Sequence, residues 1–78
     1  MEFVETIKSK KIAKHSYIIV QEYLNDDEQS IYNVSIEESE DGFVSETTDL
    51  FETRDEAKAL SFYKVLVKIY NYGKKEVK

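Results

Sequence analysis

The apolar residues of this chain change period near Thr53. Before it, Tyr32, Val34 and Ile36 alternate with Asn33, Ser35 and Glu37, the period of two that marks a half-buried strand. After it, apolar residues recur at 59, 62, 66 and 69, the spacing of an amphipathic helix. The pattern therefore predicts strands first and one helix last.

The helix is expected over residues 54–72. Thr53-Arg54-Asp55-Glu56 matches a capping box, with Thr53 as N-cap and Glu56 reaching back to the cap amide. Ala59, Phe62, Val65, Leu66 and Ile69 form one stripe at about 100° per residue. Gly73 suits the C′ position, with Lys74 and Lys75 beyond it at the negative helix end. Residues 72–78 are then a frayed tail. Leu60, Tyr63, Val67 and Tyr70 lie beside the stripe and widen the apolar arc past the ~100° that usually faces a core. Two outcomes are expected for this flank. It is an oligomer or partner surface, a homodimer included, or residues 1–12 cover it through Phe3 and Ile7.

Upstream, Ser16 to Leu24 carries apolar side chains of both parities and reads as a central strand. Asn25 to Ser30 makes the turn to the alternating strand, and Asp41-Gly42 marks the next turn. Phe43 to Phe51 is a more polar strand at an edge, and residues 2–7 add a first strand turned by the lysine-rich KSKK. The expected fold is α+β: an antiparallel meander of three or four strands packed by one C-terminal helix, in the order β-β-β-α or β-β-β-β-α. Phe62, Leu66 and Ile69 are expected to pack on Val20, Val34 and Ile36, since a small sheet needs such a layer to hold.

Seventy-eight residues without proline, with two glycines and without cysteine leave room for one domain of regular elements and short turns. No disulfide or thiolate metal site is available, which suits a reducing compartment. The N-terminus has no apolar signal-peptide core, and no apolar run approaches a membrane span. A cytoplasmic protein is expected.

Two resemblances bear on this layout. Phe51-Glu52-Thr53-Arg54-Asp55-Glu56-Ala57 resembles the strand-to-helix junction of AP2-like and integrase arm-binding domains. That similarity implies three strands, then a helix, with the sheet reading DNA. Over more of the chain, Tyr17 to Tyr23, YNVSIEE from Tyr32 to Glu38 and the TRDEA run are similar to small clostridial domains of unknown function, which implies no activity.

Charge is strongly segregated. Residues 16–56 hold thirteen acids against Arg54 alone, while residues 57–78 hold six lysines against Glu76. SIEESEDGFVSETTD, residues 35–49, holds Glu37, Glu38, Glu40, Asp41, Glu46 and Asp49 and not one basic residue. Such a block is either a surface for a basic protein partner or the solvated rim of a sheet. Small acidic domains of this kind, phage-encoded inhibitors among them, compete for nucleic-acid-binding sites. Direct nucleic-acid binding needs a basic footprint, for which the helix offers only Lys64 and Lys68 besides the terminal lysines.

Catalysis has little to stand on in the sequence, and for metal the turn carboxylates Asp26-Asp27-Glu28 and Glu40-Asp41 are either weak calcium sites or, as such runs usually are, solvated. His15, the one histidine, is adjacent to Ser16, and neighbours along a strand point to opposite faces. A Ser–His pair also needs an orienting group and an oxyanion site. The run from Glu37 to Gly42 sets glycine where an EF-hand has it, but the twelfth position is then Thr48, not a bidentate glutamate. The reading is a non-enzymatic interaction protein with no catalytic residue, metal or cofactor.

Overall fold

The computed structural model describes residues 1–40 and 43–77. Four strands, β1 (Glu2–Ala13), β2 (Ser16–Leu24), β3 (Ser30–Glu40) and β4 (Phe43–Thr53), precede one helix, α1 (Glu56–Val77). The sheet is antiparallel throughout, in the order β1-β2-β3-β4. This is the expected α+β meander, with β4 at an edge.

Ile18, Val20 and Val34 are fully buried between the sheet and the buried Ala59 of α1, and Ile12 joins them. Ile7, Tyr32, Ile36, Phe51, Phe62, Tyr63, Leu66 and Val67 pack around this centre. Phe51 and Phe62 stack with ring centroids 4.9 Å apart, fixing the β4 side of the helix to the sheet. Among the described residues, no helix is long and apolar enough to cross a membrane.

The first strand departs from expectation. KSKK is no turn: it lies inside β1, and Lys14-His15 turns the chain instead. Ile7 and Ile12 both reach the core although five positions separate them, which plain alternation forbids. Register shifts between Thr6 and Lys8 and between Lys11 and Ala13 resolve this. Each inserts one extra residue and lets an isoleucine share the helix side with its neighbour. The lysines stand at the edge, where their amines meet water.

The helix is also turned about its axis relative to the expected stripe. Val65 and Ile69 are 53% and 59% exposed, while Tyr63 and Val67 face the core. Ile7 and Ile12 of the long β1 pack in the same cluster as Tyr63 and Val67. Phe3 does not take part; it meets Tyr23 edge-on at 5.6 Å instead.

Both helix ends differ from the expected bounds. Asp55, not Thr53, is the N-cap: its Oδ1 accepts the amides of Ala57 and Lys58 at 2.9 and 3.4 Å. Thr53 sits two residues earlier, its hydroxyl accepting the Asp55 amide at 3.1 Å. At the other end α1 runs through Gly73 to Val77, where the expectation had a frayed tail. Glycine costs about 1 kcal/mol inside a helix but does not stop one, and the lysines after it favour helix. Asp55→Ala should therefore cost about 1 kcal/mol in urea unfolding. Thr53→Ala should cost less; the reverse ranking would return the cap to Thr53.

The β2–β3 turn manages without glycine. Glu28 takes a left-handed φ of 61°, held by Asn25, whose Oδ1 accepts the amides of Asp27 and Gln29 at 2.9 Å each. The second expected turn, Asp41-Gly42, lies outside the described residues.

Candidate functional site

The helix covers one face of the sheet and leaves the other open. Directly paired residues share a face, so the register assigns each side chain. Opposite the helix lie Tyr17, Ile19, Gln21 and Tyr23 of β2, with Ile31, Asn33, Ser35 and Glu37 of β3. On β4, Thr47 pairs with Glu37, Asp49 with Ser35 and Glu52 with Asn33. From β1 come Phe3, Thr6, Ser9 and Lys11.

This open face is ordered by charge. Glu37, Asp49 and Glu52 form an acidic margin over β3 and β4, and Tyr17 and Tyr23 are half-buried along β2. Among the described residues the register brings one base, Lys11, to this face, at the far edge. From Tyr23 a chain of hydrogen bonds crosses from β2 to β1. Tyr23 donates to Gln21 Oε1 at 2.9 Å, and Gln21 Nε2 donates to Thr6 Oγ1 at 3.3 Å. Ile19 is buried at its centre, and Ser35 beside it is 1% exposed. The Ser35 hydroxyl has no hydrogen-bond partner among the described residues.

The structure divides the acidic residues singled out from the sequence. Glu37 and Asp49 stand together on the open face. Glu38 and Glu46, paired across β3 and β4, turn to the helix side, and Glu40 continues their row. All three are exposed. Asp41 is outside the described residues. Glu52 was not singled out, yet it completes the open-face margin. A register shift between Val34 and Ser35 leaves Leu50 as the extra residue of β4, so Asp49 and Glu52 share a face despite their spacing of three. Plain alternation would have set them on opposite sides.

On the helix side, the flank of Leu60, Tyr63, Val67 and Tyr70 is largely occupied. Leu60, Tyr63 and Val67 are partly buried, and Tyr63 and Val67 belong to the core packing, while Tyr70 remains exposed. Ile7 and Ile12 pack into the same core. An apolar groove of about 370 Å³ opens instead on the β4 side, lined by Phe51, Ala57, Lys58, Ser61, Phe62 and Val65. Lys64 and Lys68 are exposed one turn apart on the helix.

His15 is exposed in the β1–β2 turn, and its carbonyl accepts the Ser39 amide at 2.7 Å. Among the described residues no three His, Cys, Asp or Glu side chains are grouped to hold a metal ion. Comparison with protein-family models, with curated proteins and with solved structures finds no match.

Proposed function

We propose that this chain is a small, acidic, non-enzymatic interaction module of the cytoplasm that docks on a basic protein surface without a cofactor. The observation that carries the reading is the uncovered sheet face, with Glu37, Asp49 and Glu52 aligned beside two half-buried tyrosines. Carboxylates on adjoining strands repel one another, and a positive partner relieves that repulsion. Tyrosine rings beside them supply apolar contact and a face for cations. Regulatory or phage-type inhibitors work in this manner, covering a basic site that otherwise takes nucleic acid.

A salt series tests the reading with a short arginine-rich peptide as probe. Raising salt from about 0.01 M to about 0.15 M shortens the screening length from about 30 to 8 Å. Affinity should fall steeply over that range. Binding to a nucleic-acid oligomer in place of the peptide, lost on Lys64→Gln with Lys68→Gln, would replace this reading by one in which the helix lysines contact phosphates.

A further inference from the structure

Two edges end this sheet, and they are not equivalent. The β1 edge carries Lys8, Lys10 and Lys11 and three register shifts, devices that blunt an edge against pairing. The β4 edge has β3 on one side only. Its two register shifts leave Glu46–Asp49 and Phe51–Thr53 in regular register. Beside it, on the helix side, lies the apolar groove of Phe51, Ala57, Phe62 and Val65. Ile69, one turn beyond Val65, is 59% exposed. On its other side the same strand presents Asp49 and Glu52.

We infer that β4 is an acceptor edge for an extended partner segment, four to six residues long, in which apolar and basic side chains alternate. The inference rests on the docking reading above and gives it a geometry. A strand added to β4 sends successive side chains to opposite faces. One set then enters the groove against Phe51 and Val65. The other set, lysine or arginine, lies beside Asp49 and Glu52. Main-chain hydrogen bonds to β4 hold the segment, the groove selects the apolar positions and the carboxylates select the basic ones. A uniformly basic segment leaves the groove empty, and a uniformly apolar one leaves the carboxylates unpaired.

The probes are two synthetic peptides of identical composition, valine and arginine in strict alternation in one and separated into blocks in the other. The alternating peptide should bind the full chain at least about tenfold more tightly, a gap of about 1.4 kcal/mol. N-methylation of its alternate amides, and Val65→Asp in the protein, should each erase that advantage. Val65 is 53% exposed, so the variant is expected to fold, which circular dichroism checks. Equal binding of both peptides, indifferent to N-methylation, overturns strand addition and leaves the acidic docking reading standing. Binding of neither overturns both. Self-association in sedimentation that Val65→Asp abolishes assigns the groove to a second copy and overturns the inference.

Discussion

Ile18→Ala should lower the unfolding free energy by about 2–5 kcal/mol, whereas Ile69→Ala should change it by less than about 0.5 kcal/mol. Ile18 is fully buried at the centre of the sheet, with Val20 and Val34 in the same cluster. Truncating it removes contacts and leaves a cavity that strands on both sides cannot close. A domain of this length has about 4–12 kcal/mol in total, so the variant loses a large fraction of it. Ile69 is 59% exposed and gives up little surface when shortened. Urea midpoints of the two variants, at unchanged m-value, read the difference directly. Similar losses at both positions would mean that α1 faces the sheet with Val65 and Ile69, as the sequence stripe alone suggests.

That contrast shows what the sequence exposes and what it conceals. The alternation of Tyr32, Val34 and Ile36 identifies β3 and its buried face because β3 is regular along its own length. The helical period after Thr53 identifies α1 for the same reason. Neither pattern reveals which part of a wide apolar arc meets the sheet. The face that meets the sheet shares its cluster with Ile7 and Ile12 of β1, and β1 is illegible because its register shifts set those two five residues apart on one side. The cap moved by two residues because Thr53 and Asp55 both carry a suitable oxygen, and only the chain path from β4 into α1 selects Asp55. The acidic margin was legible in part. Glu37 follows from alternation with Val34 and Ile36, but the pairing of Asp49 and Glu52 on one face hangs on the extra Leu50. Bulges carry tertiary information that a count of alternating residues does not contain.

The division of the acids between two faces gives the second large expected effect. Glu37→Gln, Asp49→Asn and Glu52→Gln together should slow association with an arginine-rich peptide severalfold at physiological salt, where the screening length is about 8 Å. They should also flatten its salt dependence. Glu40→Gln with Glu46→Gln, on the same two strands but turned to the helix side, should change the rate by less than about twofold. The argument is one of distance and screening. Glu37 pairs with Thr47, two positions from Asp49 on the same strand, a diagonal of about 7–8 Å, so these open-face carboxylates lie within one screening length and act on a bound partner together. Carboxylates on the opposite face point away from it, and at physiological salt the field decays over about 8 Å. Neither set should weaken the fold, since amides of the same shape remove like-charge repulsion and leave the apolar packing intact. Stopped-flow association at two salt concentrations, beside a thermal melt of each variant, separates the outcomes. Equal slowing by both sets would make net charge the cause, not the geometry of one face. No slowing by either would leave the acidic stretch as the solvated margin of a small sheet.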